Sequence, residues 1–247
     1  MHWLIARYQP VSLFSLKHGE ATSTGGKSLL IPTPFAIRTA LLDAAIRVQG
    51  VAYGPQAFDH IRALHLALRP PRRVAVTNLF ARILKPERNP EERGRAMQRT
   101  IAFREYVHLA GELALALGGP SDSLEAINPL LFHITYFGKR GGFFQLMAPP
   151  ERVETEGERA PEGFIALDGP ALVDRRIQGT LPPAFPLGSI QRLDEWGPEL
   201  TFERVNIYKR GREAEIRAGR DRIRLDVVLP YRVVRSGRGF TLYERID

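Results

Sequence analysis

The chain contains no cysteine, which excludes disulfide bridges, thiolate catalysis and zinc sites built on cysteine. No apolar run approaches the roughly eighteen residues that a membrane-spanning helix needs. The N-terminus also lacks the basic start and long apolar stretch of a secretory signal. The expectation is a cytoplasmic protein with no membrane contact. Histidines suited to a metal are missing too: His60 and His65 stand off one helical face, and neither a His-x-x-x-His pair nor paired carboxylates lie near them. No Gly-x-Ser-x-Gly elbow and no short internal repeat occurs. Acidic residues are the scarcer charge, 27 against 35 Lys and Arg for a net charge of +8, and that surplus points to a polyanionic partner.

A phosphate-binding P-loop is also absent, although Gly26-Lys27-Ser28 suggests one. That motif needs a glycine at position 21, where Ala21 stands, and a helix directly after it. Pro32 and Pro34 forbid that helix start. The helix is expected to open at Pro34 instead, with Thr33 as its N-cap.

What remains is ordinary for a globular chain: 247 residues, 44% apolar and 25% charged, long enough for one large domain or two small ones. The basic charge is concentrated. Between Arg69 and Arg104 ten Lys and Arg face only Glu87, Glu91 and Glu92. A solvated loop would account for this; interleaving with apolar strand residues favours nucleic acid.

The opening "HWLIARYQPVSLFSL" reads as a strand interrupted near Pro10. In "PFAIRTALLDAAIRVQG", Ile37, Leu41, Ala44, Ala45 and Val48 share a helical face, Arg38, Asp43 and Arg47 lie off it, and Gly50 ends the helix. "PQAFDHIRALHLALR" reads as a second short helix with Ile61, Leu64 and Leu68 inward. "RRVAVTNLFARIL" and "RTIAFREYVHLAGELALAL" read as strands of a long hairpin around a mobile tip, "KPERNPEERGRAMQ", too polar to bury. "SDSLEAINPLL" gives a short helix capped by Ser121 or Asp122. Residues 149–163 read as a linker or exposed loop, and 164–247 as a β-rich C-terminal region. The element order over residues 1–148 suits an α+β, ferredoxin-like (RRM-like) domain with an inserted hairpin at about 72–108.

Two elements carry candidate chemistry. Gly138-Lys139-Arg140-Gly141-Gly142 lets the backbone approach a ligand, with charge at Lys139 and Arg140 and bases stacked on Phe143 or Tyr136. A glycine turn with two surface charges would look the same. The start of the helix at Pro34, preceded by Lys17, His18 and Lys27, could hold a phosphodiester, or be a capped helix beside a solvated loop. His133, beside Tyr136 and Lys139, is the one candidate acid/base for metal-free RNA cleavage; a packed strand histidine is its other reading.

The strand, the "PTPFAIRTALLDAAI" helix, the strand ending "REYVHLAGELALAL", and "YFGKRGGFF" after a short helix resemble the Cas-five family, the RAMP-type subunit of type I CRISPR Cascade complexes. The resemblance covers about residues 3–147. It implies an RRM-like fold with a thumb hairpin, capping of the 5′ handle of CRISPR RNA (crRNA), and contacts with the Cascade backbone and large subunits, with target DNA met through the complex. It implies no cofactor. It puts the handle near Thr33, Pro34, Arg38 and the loop from Gly138 through Lys139, Arg140, Gly141 and Gly142 to Phe143. It puts guide RNA or a neighbouring subunit against a thumb bearing Arg72, Arg73, Arg82, Lys85 and Arg99. One branch of the family cleaves repeat RNA with Tyr, Lys and His. Its adjacent Lys-His has no counterpart here, since Lys17-His18 lies in the N-terminal loop. A non-catalytic subunit of this antiviral ribonucleoprotein is therefore expected. A metal-independent endoribonuclease using His133, Tyr136 and Lys139, and a general basic RNA-binding protein, are the alternatives.

Overall fold

The computed structural model describes residues 1–19, 21, 25–167, 188–209, 211 and 214–246. Parts of the N-terminal loop (20 and 22–24) and of the C-terminal region (168–187) lie outside the described residues. In chain order the elements are β1 (His2–Pro10), β2 (Leu16–Lys17), β3 (Gly25–Gly26), β4 (Ser28–Leu29), α1 (Pro34–Gln49), α2 (Gly54–Arg62), β5 (His65–Arg69), β6 (Arg73–Pro86) and α3 (Pro90–Arg93). Then follow β7 (Met97–Ala110), β8 (Leu113–Gly119), α4 (Ser121–Ile127), β9 (Phe144–Leu146), β10 (Glu151–Glu154) and β11 (Ile165–Ala166). The C-terminal part adds β12 (Ser189–Trp196), α5 (Phe202–Val205), β13 (Arg222–Leu229), β14 (Tyr231–Gly237) and β15 (Phe240–Arg245). The fold is mixed α/β with several antiparallel sheets.

Helix α1 has the ends its sequence specifies. The Thr33 hydroxyl accepts a hydrogen bond from the Ala36 N–H at 3.1 Å, and Pro34 opens the helix. Gly50, at φ 87°, closes it and donates its N–H to the Ile46 carbonyl. Burial around the helix is not as expected. Val48 is exposed, whereas Arg38 is buried. The cause is a second layer: the β12–β13 ribbon packs on α1, and its Trp196 ring stacks on Phe58 of α2 at 4.7 Å. The side of α1 that holds Arg38 is thereby covered.

Helix α2 ends at Arg62, so the expected helix through Leu68 is corrected. Leu66 and Leu68 are fully buried on a strand, β5, which pairs with β8 from His65↔Gly118 to Arg69↔Ala114. A short apolar run fits either period, and pairing with β8 decided the matter. Helix α4 starts at Ser121 without a side-chain cap, against the expected Ser121 or Asp122 cap. Pro120 stands at the N-cap position, and its carbonyl accepts the Leu124 N–H at 3.0 Å.

The main sheet runs β10–β1–β8–β5–β11, with β9 pairing the end of β1. Its pairs are antiparallel. One face packs on α1, α2 and α4 through a core that continues to Tyr231. The other face carries Trp3, Ile5, Ala67, Ala114 and Ala116, covered by Met1, Val153, Ala160 and Phe164. Within residues 149–163, expected as a linker or exposed loop and largely exposed, the chain forms a strand. This is edge strand β10, and Thr155 accepts the Trp3 indole N–H at 2.9 Å. The region 164–247 is joined to the first 148 residues: β15 pairs with β6, and the Tyr231 hydroxyl donates to the Pro71 carbonyl.

The second sheet, β14–β15–β6–β7–β3, is built on the expected long hairpin. Strands β6 and β7 pair from Arg73↔Ala110 at the base to Pro86↔Met97 near the tip. The tip is more ordered than its polarity suggested. Glu87 is buried and accepts from the Arg88 N–H at 3.1 Å and the Arg95 Nε at 3.2 Å, with Arg93 at 3.7 Å. Burial alone would raise its pKa; the hydrogen bonds and nearby arginines outweigh that and lower it.

At the far end of β13, Asp221 is fully buried. It accepts from the Arg217 backbone N–H, Nε and guanidinium at 2.8, 2.8 and 2.9 Å. The Arg217 side chain, working against burial, holds this carboxyl at about 2, below its ordinary 3.8. The lowered folded value means the stabilisation is complete above the unfolded value and is lost as pH falls from about 4 towards 2. Thermal unfolding should show Asp221→Asn clearly less stable than the parent at pH 6, with the gap closing between pH 4 and 2. An unchanging gap would refute this.

Candidate nucleic-acid interface

Tyr136 and Phe143 form a bridge that closes a turn at Gly138–Gly142. Gly138 and Gly141 have φ 77° and 101°, a region L side chains avoid. The turn is held from the N-terminal segment. The Ser12 hydroxyl donates to the Gly141 carbonyl at 2.8 Å and accepts the Phe143 N–H at 2.7 Å, and the Val11 N–H reaches the Phe143 carbonyl. Glycine is needed for packing as well: a Cβ on Gly142 would lie 2.6 Å from the Phe14 Cβ. One on Gly138 would lie 3.0 Å from Leu16 and 3.4 Å from Ala36. The loop therefore rests on the first turn of α1 and on β2.

Lys139 and Arg140 project from this turn exposed, and the Phe143 ring is 46% exposed beside them. A side-chain hydrogen bond with Tyr136, reinforced by that phenol and by Asp43 of α1, raises the Arg140 guanidinium above its ordinary value. Strand β2 packs Leu16 against Gly138, and Lys17, the next residue, is exposed. The β2–β4 ladder adds His18, whose N–H donates to the Lys27 carbonyl at 3.0 Å. Lys17, His18 and Lys27 thus stand together on the β2–β4 ladder, while the glycine turn rests on Leu16 and the α1 start.

Other expected residues stand elsewhere. Thr33 is buried as a cap and presents no free hydroxyl to a ligand. Arg38, expected at the surface, is 5% exposed. Its Nε donates to Glu195 at 3.0 Å, and its terminal nitrogens donate to the Ile61 and Leu64 carbonyls at 2.6 and 3.1 Å. It is a structural arginine tying α1 to α2 and β12. Arg72 and Arg73 lie at the hairpin base within 3.5 Å of Glu244. Arg82 and Arg99 are exposed farther out, while Lys85 is half-buried on the opposite face. Arg82 and Arg99 share their face with Phe80 and Phe103, 51% and 57% exposed, whose rings meet edge-on at 5.0 Å. That aromatic pair was not singled out from sequence, though Phe80 and Phe103 sit at matching steps of two alternating strands. His133 ends a 3-10 turn, exposed, rather than packing in a strand; its carbonyl accepts from Arg47 at 2.8 Å.

The chain is a mixed α/β protein with a basic loop and hairpin, and no family model matches it. It is 30% identical over 119 residues to a CRISPR-associated protein Cas5 of Archaeoglobus fulgidus, a match covering 48% of this chain and 52% of that one. The likeness to the Cas5 family read from the sequence is thereby shown, and the chain spans about half the length of the curated relative it matches. Three solved structures are similar more loosely. They are a CRISPR protein of Archaeoglobus fulgidus (9% identical, 100% of this chain and 93% of that one, TM-score 0.39), a CRISPR RNA-guided surveillance complex (15%, 92% and 89%, 0.39) and the type III-B Cmr-beta bound to cognate target RNA and AMPPnP (10%, 98% and 86%, 0.42). Likenesses at these TM-scores carry no functional argument.

Proposed function

We propose that this chain is a subunit of a CRISPR effector complex of the type I Cascade class, where it binds and caps the 5′ handle of crRNA without cleaving it. The observation that carries the reading is the seating of the glycine turn, with its exposed Lys139 and Arg140, against Leu16 of β2 and the first turn of α1. Backbone close approach, two exposed cations and an exposed ring at one place suit a phosphate backbone with unstacked bases. The Cas5 relative supports the CRISPR assignment. The strand order β10–β1–β8–β5, fourth-first-third-second with helices between, supports a ferredoxin-like core. The β6–β7 hairpin is then the inserted thumb, with Arg82 and Arg99 beside the Phe80–Phe103 pair facing guide RNA or the backbone subunit.

Purifying the tagged chain from its host and sequencing the bound RNA tests this. Short RNAs sharing one 5′ end within a CRISPR repeat are expected. Random RNA, or none, would overturn handle capping. Cleavage of repeat RNA that persists in EDTA and disappears in His133→Ala would convert the reading to a metal-independent nuclease.

A further inference from the structure

The second sheet has two unlike faces. Cα partners across a ladder project to the same side and alternate along each strand. On one side Val74, Val76, Val107 and Leu109 enter the core. On the other, Thr77 pairs with both Phe240 and Tyr106, so the two aromatics share one rung, with one strand between them. Neighbouring rungs place Arg235 beside Leu242 and Arg73 beside Glu244, and Leu79 beside Arg104. None of these residues is buried, and Phe240 is 40% exposed. This face lies on the base of the hairpin and on the C-terminal strands, outside the glycine turn.

We infer that this open face is a second binding surface, for single-stranded nucleic acid. Its charge complements a phosphate chain. Glu244 is the one carboxylate on this face among the described residues, and Arg72, Arg73 and Arg232 all reach it, at 3.5, 3.5 and 3.9 Å. One anion shared by three arginines leaves a positive surplus, which Arg235 and Arg104 increase. The aromatics supply what a merely charged patch lacks. The rung spacing puts the Phe240 and Tyr106 backbones about 10 Å apart, far enough for each ring to take a different base. The guanidinium of Arg235 lies 6.0 Å from the Phe240 ring centroid, so charge and stacking surface adjoin. Paired strands fix the backbone positions from which these side chains project, so their spacing is set before binding. Every base has a π-face, so such a surface takes a strand with little sequence preference. The face would serve in this way whether or not the chain belongs to a CRISPR complex.

The test uses the full chain with a decauridylate carrying 4-thiouridine. Irradiation is expected to yield adducts on the peptides containing Tyr106 or Phe240. Affinity for plain decauridylate should fall about tenfold in Tyr106→Ala and in Arg235→Glu, and stay near the parent value in Tyr106→Phe. The salt slope should drop by about 0.7 for each phosphate that a variant no longer neutralises. The same measurements on Lys139→Ala/Arg140→Ala separate the two surfaces, since that variant should keep the Tyr106 and Phe240 adducts. Adducts confined to the glycine turn, or unchanged affinity in folded Arg235→Glu, would overturn the inference while leaving handle capping untouched. Such a result would also be the outcome if the face met an acidic protein instead.

Discussion

An Arg38→Ala chain is expected to lose about 3–5 kcal/mol of stability, the cost of breaking a buried ion pair by removing one partner. Arg38 is almost fully enclosed, and each of its nitrogens in play is committed: Nε to the Glu195 carboxylate, the terminal nitrogens to the Ile61 and Leu64 carbonyls. Those carbonyls sit where α2 ends and the chain turns into β5, so one guanidinium fixes α1, the α2 exit and β12 together. Truncation strips the Glu195 carboxylate of this partner in a low-dielectric site and leaves two helix-end carbonyls poorly satisfied. Urea denaturation should show the midpoint falling with little change in slope. The double substitution Arg38→Met/Glu195→Leu should recover much of the loss, because it removes both charges. If Arg38 instead gripped RNA, Arg38→Ala would keep its urea midpoint and lose only binding.

That arginine marks where sequence reasoning ran short. Local chemistry was legible: Thr33 and Pro34 start α1, Gly50 stops it, and alternating residues on either side of a polar tip make the β6–β7 hairpin. Features that depend on what packs against an element were not. The Arg38 side of α1 reads as solvent-facing until β12, more than 150 residues later, covers it. Strand β10 reads "ERVE", with almost no apolar signal, because an edge strand needs only its backbone to join β1. At β5, Leu64 and Leu68 satisfy a helical spacing from Ile61, and only the neighbouring β8 selects the extended form. The candidate site was half legible for the same reason. Glycines beside cations named the turn at 138–142, but its support by Ser12 and Phe14 comes from a segment that carries no motif. Tyr106, Arg235 and Phe240 belong to strands far apart in sequence, and only the sheet register brings them together.

Lys139→Ala/Arg140→Ala should weaken binding of a crRNA 5′ handle about a hundredfold while leaving the unfolding midpoint unchanged. Both side chains are exposed on a turn whose shape is set by glycine torsions and by Ser12, none of which the substitutions touch. A charge-assisted contact to phosphate is worth roughly tenfold in affinity, so about a hundredfold is the loss when each cation meets its own phosphate; adjacent cations sharing one phosphate would lose less. The salt dependence gives an independent readout, because each phosphate left without its cation lowers the log–log slope by about 0.7 on a single strand. Tyr136→Phe separates position from charge. It removes the hydroxyl that interacts with Arg140 while keeping the cation, so a smaller loss is expected with the salt slope preserved. Affinity and slope both unchanged in the double variant would take the turn out of the RNA site and leave Arg82, Arg99 and the Phe80–Phe103 pair of the hairpin as the surface to test.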